Sequence, residues 1–245
     1  IGSDRGIAWR VEDSLALRDF LGFALTEHTP DHSTLSAARH RIDLETHQEV
    51  FRFTLSALAQ EGLLRGGALG IDTTTLEANA AMRSIVRRDT GEDYHEFLKG
   101  LAKESGIESP TRADCIKVDK ERKKGGKGKA SNDDWKHPHD PDARIAKMKD
   151  GSTHMAHKAE HAVDLETGAL VGITVQAADM DDRQTLHATL AQVRENLYCA
   201  AQNEDARGQM KPLKDIVADK GYHSTATLET LIDEYHLRPC ISEPD

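Results

Sequence analysis

Two short apolar runs in this 245-residue chain end in an aspartate: Ala68-Leu69-Gly70-Ile71-Asp72 and Ile216-Val217-Ala218-Asp219. Carboxylates on rigid strand ends are hard oxygen donors, the kind that Mg²⁺ takes while keeping several of its waters. A pair of such ions about 4 Å apart can make an attacking oxygen nucleophilic and stabilise a departing one, which is what cleavage or transfer at a phosphodiester requires. Beside such cations both acids stay ionised, because the metal charge outweighs their mutual repulsion. Each aspartate alone is more simply read as a turn or helix-capping residue. Their shared context, an apolar run, an acid and then a small or polar turn, makes Asp72 and Asp219 the candidate catalytic and metal-binding pair, with Mg²⁺, or Mn²⁺, as the ion.

Asp219 is followed by Lys220-Gly221-Tyr222-His223-Ser224, which sets a cation, a glycine, an aromatic ring and an imidazole beside the acid. Such groups suit phosphate and base contact; the alternative is a plain turn into a capped helix. A second basic group is the lysine-glycine tract of residues 120–129, where Lys123, Lys124 and Lys127 could neutralise phosphates from an unpacked arm, with Trp135 near enough to stack. A solvated loop explains that tract equally well. The DNA-binding candidates are therefore Lys123, Lys124, Lys127, Lys220, Tyr222 and His223. His154, His157 and His161 invite a zinc reading, but the segment reads as a strand on which only His157 and His161 share a face. No cysteine or acid completes a tetrahedral set, so these histidines are expected at the surface or facing substrate.

The elements that must position the acids follow from periodicity. Residues 11–25 carry Leu17, Phe20, Leu21, Ala24 and Leu25 at helical intervals; Thr29-Pro30 ends that helix, and Asp31 or Ser33 can cap the next. A third helix starts near Asp43 and ends around Gly62. These three make a helical N-terminal module over residues 1–66, compatible with a helix-turn-helix or with a plain bundle. Residues 68–72 read as a buried strand. Residues 83–151 are polar and irregular, with expected helices over 94–103 and 111–123, and look like an insertion. Two strands, 157–163 and 169–176, flank a Gly-containing loop as a hairpin. A helix over 182–202, a strand ending at Asp219, a helix capped by Ser224 and an edge strand containing Pro239 complete the chain. The succession gives an α/β fold with a ribonuclease H-like mixed sheet flanked by helices, spanning residues 67–245, with acids at the ends of its first and fourth strands.

Composition is permissive. The net charge of −10 argues against a protein that coats DNA but leaves room for local basic patches. No apolar run approaches the ~20 residues of a membrane helix, and Cys115, Cys199 and Cys240 are too scattered for a disulfide or zinc framework, which fits a reduced cytoplasm.

Longer motifs carry a resemblance. Residues 70–80, Gly70-Ile71-Asp72-Thr73-Thr74-Thr75-Leu76-Glu77-Ala78-Asn79-Ala80, and 217–224 resemble the first and second acidic motifs of bacterial insertion-sequence transposases with a DDE catalytic domain, of the IS-four-like superfamily. Residues 85–92, 137–143 and 157–164 are similar to the same group, and Asp31-His32-Ser33-Thr34-Leu35 resembles its helical region ahead of the catalytic domain. The resemblance implies a ribonuclease H-like core, divalent metal, and strand cleavage followed by transfer of a 3′-hydroxyl to target DNA. It implies double-stranded DNA partners (terminal repeats and target), a homo-oligomer when active, and a cytoplasmic, nucleoid-associated bacterial protein. Asp72 and Asp219 match the first two acids. The third, a glutamate on a helix after the last strand, has no counterpart, since Glu243 directly follows the strand. The expectation is a chain truncated before that helix and inactive by itself; a nuclease that cleaves without joining, or an inactive DNA-binding fragment, are the alternatives.

Overall fold

The computed structural model describes residues 3–124, 130–202 and 210–243, without the side chains of Lys123 and Lys124. Lys127 and the flanking glycines lie outside the described residues, so the expectation of a phosphate-binding arm there concerns chain that is not described. The chain divides into two compact units, residues 1–54 and 55–245. The division falls inside a helix, ahead of the boundary at residue 66 drawn from sequence, because Leu55 and Ala59 are already buried.

The first unit contains α1 (Asp4–Asp13), α2 (Leu15–Phe20), α3 (His32–Arg41) and the start of α4 (Leu44–Gln60). The single helix expected over 11–25 is two helices. Ser14 is extended, and its hydroxyl accepts from the Leu17 amide, so a capping residue inside the periodic stretch starts a new helix. The buried Arg18 side chain donates to the carbonyl oxygens of Ala24, Leu25 and Glu27, fixing the loop that follows α2. Asp31 caps α3 through the Thr34 amide at 2.7 Å, and that bond holds its carboxyl down at about 2. Arg39 on α3 pairs with Asp4 on α1.

The second unit is built on a six-stranded sheet of β1 (Gly66–Glu77), β4 (Arg144–Lys147), β5 (Thr153–Asp164), β6 (Leu170–Ala177), β7 (Lys211–Ala218) and β8 (Arg238–Ile241). β5 lies antiparallel to β1, while β4 and β6 pair in tandem along its other edge. β7 runs parallel to β1, and β8 parallel to β7. The antiparallel start and parallel finish read from the sequence are present, with β8 and its Pro239 pairing only to β7. This mixed sheet is consistent with a ribonuclease H-like fold. Between the acids' strands stand α7 (Asp182–Ala201), capped by Asp181, and after β7 comes α8 (Thr225–Asp233), capped by Ser224 as expected. The hairpin loop closes through the Asp164 amide on Ala169 and the Gly168 amide on Asp164.

Two expectations are corrected. β1 does not end at Asp72; it continues five residues to Glu77, held by antiparallel pairing with β5 as far as Glu77 opposite Ala156. The run Thr73-Thr74-Thr75 is β-branched and extends readily, though it is not apolar enough to read as buried. The insertion is also more ordered than its polarity suggests. It holds β2 (Val86–Arg87), α5 (Tyr94–Glu104), α6 (Arg112–Lys124) and β3 (Trp135–Lys136) and contributes β4 to the main sheet. Ala80, Ile85, Trp135, Ala143 and Met155 form a buried cluster, with Tyr94 and Phe97 edge-on to the indole at 5.1 and 5.2 Å. Trp135 is therefore a core residue, 3% exposed, and has no free face to offer a base. No helix among the described residues is long and apolar enough to cross a membrane.

Candidate active site

The parallel ladder between β1 and β7 begins at Gly66 opposite Lys211, shifts register before Ala68 opposite Asp215 and runs to Ile71 opposite Ala218, and the next residue in each segment is an aspartate. Neighbouring strands lie about 4.8 Å apart, so Asp72 and Asp219 stand side by side where β7 leaves the sheet. Both are exposed and line one shallow depression with Lys149 and His161. Asp72 is opposite His161 across the antiparallel ladder, on the same sheet face. Lys149 comes from the turn joining β4 to β5. The sequence had set His161 on an accessible strand face; its place opposite Asp72 depends on register, and Lys149 carried no local signal at all.

Each aspartate spends one oxygen locally. Asp72 Oδ1 accepts from the Thr73 amide at 2.8 Å, and Asp219 Oδ1 from the Gly221 amide at 2.8 Å. These bonds fix one oxygen of each carboxylate. Two hard, exposed oxygen donors suit a divalent ion that retains much of its water shell. Among the described residues, no group of three or more His, Cys, Asp or Glu converges closely enough to hold a metal ion. Glu243 follows β8 directly and is exposed.

Behind the aspartates, the other face of the sheet carries a buried polar cluster. Thr73 is opposite Glu160, which is fully buried, and Glu160 Oε1 accepts from Thr185 Oγ1 at 2.6 Å and from the Tyr222 hydroxyl at 2.9 Å. Burial, then the Glu160 carboxylate, push the Tyr222 phenol well above its ordinary value, so it stays a donor. This corrects the expectation for Tyr222: its ring is wholly buried and cannot stack on DNA. Its neighbours differ. Lys220 is exposed and His223 half-buried, in and just after the 3₁₀ turn Lys220–Tyr222 that Asp219 caps. In the same cluster Asp182 Oδ1 accepts from Lys158 Nζ at 2.8 Å and from Thr73 Oγ1 at 3.1 Å. No local signal marks Asp182, Lys158 and Glu160, whose convergence needs β5 and α7 in place.

Two of the other histidines weighed for zinc are paired with acids. His154 pairs with Glu77 at 2.6 Å, and His157 Nε2 meets Asp140 at 3.0 Å and holds that carboxyl below its usual range. His137 and His139 lie in a loop, as expected, with rings 5.8 Å apart. None of these belongs to a zinc set among the described residues.

Residues 89–243 match the family model described as Transposase DDE domain, and residues 1–41 match Transposase domain (DUF772). The longer match includes Asp219 and most of the sheet but begins after Asp72. No curated protein matches the chain.

Proposed function

The chain belongs to the Transposase DDE domain family, enzymes of DNA transposition that depend on divalent metal, and from that premise we propose that Asp72 and Asp219 are its catalytic, metal-binding acids. The observation that carries this reading is the ladder ending at Ile71 and Ala218, which sets the two aspartates together on an accessible face. Mg²⁺, or Mn²⁺ in its place, would be held through their carboxylate oxygens and would supply charge neutralisation at the attacking and leaving oxygens of the phosphodiester. The chain's own groups do the rest. The Thr73 and Gly221 amides fix the two carboxylates before substrate arrives. Lys149 and His161 offer a cation and an imidazole to the phosphate lying over the aspartates. Lys220 and His223, beside Asp219, extend that contact along the DNA backbone.

The substrates in this reading are the double-stranded terminal repeats of an insertion sequence and a target duplex, acted on by a homo-oligomer in the bacterial cytoplasm at the nucleoid. In the full-length gene product with its terminal repeats, Asp72→Asn and Asp219→Asn should each reduce Mg²⁺-dependent cleavage and strand transfer by at least ~100-fold, while leaving metal-free binding to terminal-repeat DNA within a factor of about 3. Unchanged cleavage in either variant would remove that residue from the site. Cleavage without joined product would instead favour a nuclease.

A further inference from the structure

Asp182, at the start of α7, touches both acid-bearing segments from behind the sheet. One oxygen, Oδ1, accepts from Thr73, the residue after Asp72, and from Lys158 of β5, whose ammonium also donates to the Met180 carbonyl oxygen. Its other oxygen, Oδ2, lies 2.8 Å from the point that a Cβ on Gly221 would occupy, and Asp219 Oδ1 lies 2.9 Å from that same point. A methyl there would press on both carboxylates, so one of the two would have to shift. The side chain of the next residue, Tyr222, runs inward and donates to Glu160, the cross-strand partner of Thr73. Lys158 is 12% exposed and Asp182 25%, so this is a largely desolvated ion pair and not a surface one.

We propose that Asp182, held by Lys158 and Thr73, is a positioning residue for the two-aspartate site, setting the turn that carries Asp219 against the strand that carries Asp72. The inference rests on the reading of Asp72 and Asp219 as metal-binding acids. It assigns Asp182 no contact with substrate; the residue acts through the Gly221 backbone, whose amide is the donor that fixes Asp219. Groups that orient metal-binding carboxylates in this way usually contribute 10- to 100-fold to metal affinity.

The test uses the chain with Mn²⁺ as probe, and amide hydrogen exchange in the metal-free protein as a readout independent of metal. Asp182→Ala should weaken Mn²⁺ binding by about 10- to 100-fold. It should also speed exchange of the Gly221 amide by about 10-fold, with the Val193 amide in the middle of α7 unchanged. Asp182→Asn keeps the shape and the Thr73 bond, and should show the same effects at reduced size; it serves if the alanine variant does not fold. Unchanged Gly221 exchange overturns the proposal, as does equal acceleration at Gly221 and Val193, which marks a merely structural role. Asp219→Asn separates the two readings. If that variant binds Mn²⁺ as tightly as wild type, the metal-site reading fails, and the Gly221 exchange still decides the role of Asp182.

Discussion

Replacing Tyr222 by phenylalanine removes a single oxygen from the interior and leaves the packing of the ring intact. That oxygen donates to Glu160 Oε1 at 2.9 Å, both residues are fully buried, and Thr185 at 2.6 Å is the other side-chain donor to the same atom. Among the described residues Glu160 Oε2 has no hydrogen-bond partner, so none of them supplies a spare donor to compensate. A hydrogen bond to a charged group contributes about 1.5–3 kcal/mol, so the expected loss is about 2 kcal/mol. In a unit of this size that corresponds to a Tm lower by about 4–8 °C. Urea unfolding should show the lower midpoint with an unchanged slope, because the surface exposed on unfolding is the same. The pH dependence has a definite sign. The folded phenol is raised above its unfolded value near 10, so its contribution is complete below about pH 10 and is lost as pH climbs toward the folded value. The difference between wild type and variant should therefore be flat from neutrality to about pH 10 and shrink above it. A difference under about 0.5 kcal/mol at pH 7 would refute the reasoning, since that is the scale of an unremarkable surface change.

Other substitutions probe the frame around the site. Asp164 is fully buried and accepts the amides of Arg65 and Gly66 at 2.7 Å and of Glu166 at 2.9 Å; Asp164→Ala strands these donors and should cost about 3–5 kcal/mol in chemical denaturation. A methyl on Gly172 would sit 2.6 Å from Val193 Cγ2, so Gly172→Ala should destabilise by about 1–3 kcal/mol through overpacking, recovered in part by Val193→Ala in a double-mutant cycle. Asp181 caps α7, and Arg183, through its side chain first and then its amide, holds the carboxyl down at about 2. Asp181→Ala should cost about 0.5–2 kcal/mol at pH 7, as lost helix caps do. Because the folded value is depressed, that difference should hold above about pH 4 and fade as pH drops toward 2, which acid-range thermal melts can follow.

The helices and strands that matter most were legible because their signals are local. Asp31, Asp43 and Ser224 each sit at a helix start with a backbone amide within reach, so capping chemistry marks the boundary without tertiary help. Of the stripe Leu186, Leu190, Val193 and Leu197 on α7, the first three are fully buried as their spacing requires and Leu197 is half-buried. Local signals failed where a single residue answered to two claims. Ser14 fits a periodic helix but caps a new one, and the threonines after Asp72 read as a turn but continue a strand once β5 pairs with them. Tyr222 shows the same limit at the candidate site. Beside a lysine and a histidine it reads as a stacking ring, and only the fold turns it inward onto Glu160.

The sequence by itself determined that two aspartates follow short apolar runs, that those runs belong to strands of an α/β sheet, and that the motifs around them resemble a transposase. Side-chain type and short-range periodicity carry that much, since both are written in neighbouring residues. Tertiary structure alone decided what stands beside each acid. Register across β5, β1 and β7 joins residues about 80 to 150 positions apart: it places His161 opposite Asp72, brings Asp219 level with it, and gathers Thr73, Lys158, Glu160 and Asp182 behind them. Because side chains alternate faces along a strand, a slip of one residue would send Asp72 to the covered face and Thr73 to the open one. No local pattern fixes that choice; burial of Leu69 and Ile71 on the covered face does.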